Sequence, residues 1–347
     1  MDDSVSDHGE HIELPLPREA TLSGPGGLFG HRVLVTGATG FIGRHLMHRL
    51  RKEGAEVHAL TRPGGSPRPD VAGTTWHRVD LDDREALTST VHRIAPSVMF
   101  HLASRVEGRR DKALALPMLE ANTRVAVALM TAALDLPECR VVLAGSIEEP
   151  RGEEPPVSPY AAAKGAATGY ARLFHAQWEL PVTVLRIAMV YGPDQPDDRK
   201  LIPYVCQCLA DGGAPSLSSG TRPVDWVYIA DVCDALYRAA TCGDAPGRVL
   251  DIGSGQTATV AEVVTELADI AGYRGILGFG DVTDRRDDRA HIADTGPAAQ
   301  HLDWRAETPL HTGLEWTLAW YRLQRPAPDD AGGDLGLAVA AQAKSGI

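Results

Sequence analysis

Tyr160 and Lys164 stand four residues apart at the start of a segment with helical spacing, so both fall on one helix face. A phenol ionises at about pH 10. An ammonium group and a second positive charge close by lower that value. A tyrosine placed in this way can exchange a proton with an alcohol or ketone at neutral pH. Ser146 follows the apolar run Val141-Val-Leu-Ala-Gly145, fourteen residues upstream of Tyr160, where its hydroxyl can hold the same substrate oxygen.

These side chains need a scaffold, and the stretch Val33-Leu-Val-Thr-Gly-Ala-Thr-Gly-Phe-Ile-Gly43 supplies its first piece. A short apolar run leads into Gly37, Gly40 and Gly43, and Arg44-His-Leu-Met-His-Arg-Leu50 follows with helical spacing. The order is strand, tight turn, helix. The first glycine serves the turn, the second lets backbone approach a pyrophosphate, and the third lets helix and strand pack closely. Residues 37–43, with Thr39, Phe41 and Ile42 between the glycines, would bind a dinucleotide at the helix N-terminus.

The alternation continues. Strands are expected at Val33–Thr36, Glu56–Thr61, Trp76–Asp80, Ser97–Leu102, Arg140–Ala144 and Val182–Ile187. Helices are expected at Arg44–Lys52, Asp83–Ile94, Ala113–Leu134 and Tyr160–Trp178. Such alternation implies an α/β, doubly wound parallel sheet of Rossmann type, with ligands beyond the carboxyl ends of the strands. Residues 1–30 read as a flexible leader, 31–191 as the dinucleotide domain, and 192–325 as a smaller substrate lobe interleaved with late sheet elements. That lobe carries helical pieces at Leu201–Ala210, Asp231–Ala240 and Thr259–Ala271 and a strand at Val224–Ile229. Residues 326–347 read as a flexible tail.

The second strand ends in Thr61 and Arg62, where NAD-selective sites carry an acid for the ribose 2′-hydroxyl. An arginine there can pair the 2′-phosphate of NADP. NADP(H) is therefore the expected cofactor, with NAD(H) the alternative if Arg62 is only a solvated loop residue. Asp80 and Leu81 are placed to touch the adenine, although Asp80 could equally cap a helix. Leu102, Ala103 and Ser104 end the fourth strand beside the cofactor ribose.

The formal net charge of −12 argues against non-specific binding to nucleic acid or an anionic membrane. No apolar run in the sequence suggests a membrane span, and the N-terminus lacks the order of a signal peptide. Five cysteines without paired spacing read as buried thiols of a cytoplasmic protein, and no metal-ligand cluster stands out.

Taken together, the chain resembles the extended short-chain dehydrogenase/reductases, and among them the nucleotide-sugar epimerases, dehydratases and ketoreductases. The resemblance runs from about residue 31 to 322. It rests on Thr36-Gly-Ala-Thr-Gly-Phe-Ile-Gly43, Val79-Asp-Leu81, Phe100-His-Leu-Ala103, Asn122, Gly145-Ser146 and Ser158-Pro-Tyr-Ala-Ala-Ala-Lys164. Later segments are Leu185-Arg186, Val190-Tyr-Gly-Pro193, Trp226-Val-Tyr-Ile-Ala-Asp231, Ile252-Gly-Ser-Gly255, Leu302-Asp-Trp304 and Trp320-Tyr321.

The resemblance implies Tyr160 as acid/base, Lys164 as its partner and a ribose ligand, and Ser146 as the second hydroxyl. It implies that Asn122 supports the long helix near the site, unless it is a plain surface residue. It implies Arg222 and Arg285 as partners of the nucleotide phosphates, unless they form surface ion pairs. It also implies a homodimer formed through the long helix and the helix after Tyr160.

Three departures concern the substrate. Glu149-Pro150 replaces the family's Tyr-Gly, the stretch from Ser146 to Tyr160 is short, and Met189 stands where many relatives carry Asn. Glu148 keeps the position from which family dehydratases remove a proton alpha to a ketone, but Ile147 replaces the usual Asp. With Arg62, this favours NADPH-dependent reduction of a nucleotide-linked 4-keto-deoxysugar. A 4-epimerase or 4,6-dehydratase that recycles its cofactor is the alternative, and a non-catalytic NADP-sensing protein a minor one.

Overall fold

The computed structural model describes residues 27–65, 72–282 and 290–324. The first half runs β1 (Arg32–Thr36), α1 (Phe41–Lys52), β2 (Glu56–Thr61), β3 (Thr75–Arg78), α2 (Arg84–Ile94) and β4 (Val98–His101). A compound helix follows, made of a 3₁₀ turn (Lys112–Leu114), α3 (Ala115–Met118), a π-helical turn (Leu119–Arg124) and α4 (Val125–Leu134). Then come β5 (Arg140–Ser146), α5 (Pro159–Trp178) and β6 (Val182–Ile187).

The second half contains β7 (Met189–Tyr191), α6 (Leu201–Ala210), β8 (Ser216–Leu217), β9 (Pro223–Val224), β10 (Trp226–Tyr228) and α7 (Ile229–Thr241). It ends with β11 (Val249–Ile252), β12 (Ala258–Thr259), α8 (Val260–Ala271), β13 (Gly278–Phe279), α9 (Thr295–Leu302) and α10 (Leu310–Leu323).

Seven strands form one sheet in the order β11-β6-β5-β4-β1-β2-β3, and every pair in it is parallel. The chain reverses its direction of travel across the sheet between β1 and β4, and the crevice at such a switch point is where dinucleotides bind. Successive residues of β1 serve opposite faces: Val33 and Val35 join the core under α1 and α7, and Leu34 joins the core under α2, α4 and α5. This is the expected Rossmann-type sheet. Three two-stranded pairings, β7 with β10, β8 with β13 and β9 with β12, lie outside it.

Two expectations about the elements need correction. The segment expected as one strand at Val224–Ile229 is broken at Asp225. That carboxylate is buried, accepts the amides of Ser254, Gly255 and Ala293 and the Ser254 hydroxyl, and so ties three segments together in place of a strand ladder. The compound helix Lys112–Leu134 is also long and apolar enough, by length and composition, to cross a bilayer. Half of that stretch is buried inside the protein, with Val125, Leu129, Met130 and Ala133 packed in the core beside α2 and α5. Core packing explains its hydropathy. Cys139, Cys206 and Cys233 are buried, but Cys208 and Cys242 are only half-buried.

Candidate active site

β1 hands over to α1 through Gly37, whose φ of +71° suits glycine. A Cβ at Gly37 would come within 2.6 Å of the Ala103 amide nitrogen, so only glycine lets the loop after β4 pass this closely. At Gly43 a Cβ would stand 2.1 Å from the Gly37 carbonyl oxygen, which makes Gly43 the packing glycine. Gly40 begins α1 with no side-chain cap and no acidic residue in the first turn. The amides of that turn are left to an external acceptor, as an anion site requires. Loop and helix end thus fit the pyrophosphate of a dinucleotide, with Gly37, Thr39, Gly40, Phe41, Ile42 and Gly43 around it.

The floor of the crevice is polar and fixed. Thr36 Oγ1 lies 2.7 Å from His101 Nδ1 and accepts from the Ala103 amide at 3.2 Å. Burial, with Lys164 adding to it, pushes His101 down to about 3, so the ring is neutral. Arg62 is exposed just past β2, where its carbonyl accepts from the Gly65 amide. Asp80 is exposed and accepts from the Asp82 amide at 3.0 Å, and the neighbouring Asp83 caps α2 instead. Leu81, Leu102 and Ala103 are half-buried around the same end of the sheet.

Ser146 closes β5, and Tyr160 and Lys164 occupy the first turns of α5, which Ser158 caps through the Ala161 amide. Lys164 Nζ donates to the Ala144 carbonyl at 2.8 Å and lies 5.9 Å from the centre of the Tyr160 ring. The Tyr160 hydroxyl meets the side chains of Ser146 and Ser104. The expected lowering of the phenol's pKa is not a property of the protein alone. Burial pushes Tyr160 up, Glu148 and Glu149 add to this, and the Ser146 and Ser104 hydrogen bonds oppose it. Burial pushes Lys164 down to about 8, with Glu149 opposing.

Asn122 is buried in the π-turn and donates to the carbonyls of Arg105 and Met118 while accepting from Ser104. It is not a surface residue. Ser104, expected only beside the ribose, also reaches Tyr160.

Glu148 is half-buried, and its amide donates to Ser146 Oγ at 3.2 Å. Ile147 is buried. Met189 is 37% exposed on β7, open to a ligand. Arg222 is half-buried ahead of β9, its carbonyl accepting from the Val260 amide. Arg285 lies outside the described residues. Among the described residues, no group of three or more His, Cys, Asp or Glu side chains could hold a metal ion.

Sequence reasoning missed the role of Glu149, treated only as a departure. Glu149 is 2% exposed, and its carboxyl oxygens meet the Ser146 amide at 2.8 Å and the Thr168 hydroxyl at 2.7 Å. The signal was present: Glu149 is one turn past Ser146, and Thr168 is one helical turn past Lys164. The network Arg151–Asp251–Arg186 was missed as well. It ties the loop after Ser146 to β11, with Arg186 Nε 2.7 Å from Asp251.

A parallel seven-stranded sheet with the Ser146, Tyr160 and Lys164 cluster at its carboxyl end defines an enzyme of the extended short-chain dehydrogenase/reductase type. The chain belongs to the NAD dependent epimerase/dehydratase family, whose model matches residues 33–253. It is 30% identical over 312 residues to the low-salt glycan biosynthesis protein Agl12 of Haloferax volcanii, covering 83% of this chain and 98% of that one. It is 30% identical over 318 residues to a dTDP-glucose 4,6-dehydratase of Streptomyces antibioticus, covering 84% and 93%. Its fold is similar to that of the UDP-glucose 4-epimerase of Thermotoga maritima with UDP-glucose, with a TM-score of 0.76 at 24% identity, covering 84% and 99%.

Proposed function

We propose that the protein oxidises and re-reduces C4 of a nucleotide-linked hexose, restoring its dinucleotide in each turnover, and that it releases the 4-epimer. The names of its relatives support C4 chemistry with a recycled cofactor better than a net reduction. The observation that carries the epimerase reading is Ile147, buried where a dehydratase needs an acid to protonate a departing C6 hydroxyl. A bound nicotinamide supplies the hydride acceptor and donor.

The protein's own residues do the rest. Tyr160 Oη takes the proton of the C4 hydroxyl as the ketone forms and returns it afterwards. Ser146 Oγ holds that oxygen while the hydride moves. Lys164, fixed on Ala144, keeps positive charge under the phenol and reaches the ribose. Met189 faces the sugar, and Arg222 meets the phosphates. Exposed Leu116, Leu119, Tyr170 and Leu173 on the compound helix and α5 support a homodimer through those helices.

Arg62 favours a second reading, an NADPH-consuming 4-keto-sugar reductase. One experiment separates them. The purified protein is denatured, its released nucleotide identified by mass spectrometry, and the intact enzyme incubated with UDP- and dTDP-hexoses. Retained NAD⁺ with a product of unchanged mass supports the epimerase. A product lighter by one water makes it a dehydratase. An empty protein that consumes NADPH, and loses that preference in Arg62→Ala, makes it a reductase.

A further inference from the structure

The catalytic cluster rests on a buried acidic side chain that the proposed reaction does not use. Glu149 follows Ser146 by one turn, its own amide donating to the Ser146 carbonyl at 3.1 Å. Its side chain folds back so that Oε1 accepts from the Ser146 amide and Oε2 from Thr168 Oγ1. An ionised carboxylate accepts at both oxygens, which matches the Ser146 amide at one and the Thr168 hydroxyl at the other. A Cβ on Gly145 would lie 2.5 Å from Oε1, so the glycine before the serine is what leaves room for this carboxylate.

We infer that Glu149 is a positioning residue, whose carboxylate clamps the Ser146 backbone to α5 at Thr168 and places a negative charge beside the Lys164 ammonium. Burying an unpaired ammonium is costly, so a group in the position of Lys164 loses its proton unless an anion accompanies it. Glu149 is the anion that raises Lys164 against burial. The other groups facing Lys164 are neutral or weakly placed to replace it: the Ala144 carbonyl from β5, the neutral His101 ring from β4, and the Tyr160 ring from its own helix. Burial pushes the Glu149 carboxyl up, and the Ser146 amide, the Thr168 hydroxyl, Lys164 and Arg186 of β6 oppose it in favour of the ionised form. Arg186 is already paired with Asp251, and Glu149 is the carboxylate that faces Lys164 among the described residues.

The inference rests on the proposed C4 chemistry only for its kinetic readout, so the test has two arms. The chain contains five lysines, which makes the ¹³Cε signal of Lys164 assignable by comparison with Lys164→Arg. In the parent, Lys164 should titrate near pH 8. In Glu149→Gln, which keeps the shape and the acceptor for the Ser146 amide, the midpoint should fall by at least one pH unit. The Glu149→Asp variant should recover part of the difference. An unchanged midpoint in Glu149→Gln overturns the inference.

In the kinetic arm, kcat of Glu149→Gln should fall at least tenfold with KM within threefold, and the alkaline limb of its pH profile should move down with Lys164. Thr168→Val removes one clamp donor and no reacting group; it should lower kcat several-fold at constant KM. Parental kcat in Thr168→Val overturns the clamp. Should the parent turn over no nucleotide-hexose, the C4 reading fails, and the lysine titration still decides the role of Glu149.

Discussion

Ser104 Oγ donates to Asn122 Oδ1 at 2.6 Å, and this bond joins the loop after β4 to the π-helical turn of the long helix. The amide nitrogen of Asn122 continues the tie to the carbonyls of Arg105 and Met118. Because Ser104 also meets Tyr160, Asn122 is linked to the tyrosine hydroxyl through one serine. A π-turn widens the helix locally and is a recurrent feature of functional sites. Here it carries the buried amide that meets Ser104 and Arg105.

Asn122→Leu removes all three bonds and leaves the Ser104 hydroxyl and two carbonyls without this partner. Each buried group left unpaired costs about 1–3 kcal/mol. We expect a loss of about 2–4 kcal/mol in chemical denaturation, allowing for partial rehydration, and a kcat lowered about tenfold, a size ordinary for misplaced catalytic groups. Asn122→Asp retains an acceptor for Ser104 but no donor for Arg105 or Met118, and should fall between. A Leu variant with parental kcat would disconnect Asn122 from Tyr160.

Gly43→Ala tests the dinucleotide cradle. The new methyl would overlap the Gly37 carbonyl, a backbone atom that cannot swing aside, so α1 must back away from β1. Dinucleotide affinity measured by calorimetry should fall at least a hundredfold. Gly40→Ala separates folding from binding, because its Cβ would meet only the Gly37 carbonyl at 3.1 Å. It should fold normally, yet lose affinity because its methyl stands where the pyrophosphate approaches the backbone.

His101 gives the protein an acid-sensitive core. Its ring titrates at about 3 in the folded protein and about 6.5 when exposed. Below pH 6.5 the unfolded chain binds a proton that the native state refuses, so stability falls as the pH drops toward 3. At pH 5 this side chain alone removes about 2 kcal/mol. His45, pushed down to about 4 by burial, acts in the same direction. Lys164 works at the other end: its native value lies below its unfolded one, so stability rises between about pH 8 and 10.4. His101→Gln should flatten the acid slope of the denaturation midpoint while leaving the slope above pH 8 in place. An acid slope identical to the parent's would refute the assignment.

The sheet, the glycine turn and the Ser146, Tyr160 and Lys164 cluster were legible because each rests on local pattern: buried runs, fixed glycine spacing, and two residues one helical turn apart. What the pattern did not reveal is polar and long-range. Asp225 breaks an otherwise apolar strand because segments near 254 and 293 bring it donors, and neither is close in sequence. Glu149 looked like a lost Tyr-Gly motif because its partner Thr168 sits on another element. Asn122 could not be told from a surface residue, since the π-turn that buries it has no composition of its own. Glu120 and Arg124 interrupt the apolar helix Lys112–Leu134, so the sequence shows no unbroken apolar run there, while its buried face decides where it packs.

Tyr160→Phe separates an enzyme from a silent relative on the same scaffold. The substitution removes one oxygen from a buried ring and leaves Ser146, Ser104 and Lys164 in place. The lost group is the one placed to carry a proton, and positioned acid/base groups contribute about 10²–10⁴-fold. Turnover of a nucleotide-hexose should drop by that factor, with KM nearly unchanged because Ser146 still holds the substrate oxygen. Dinucleotide affinity should be unaltered, since the cradle at Gly37–Gly43 is untouched. The thermal midpoint should stay within a few degrees of the parent's. A Phe variant with parental turnover would assign the proton transfer to another group, and Glu148, half-buried beside Ser146, would be the first to substitute.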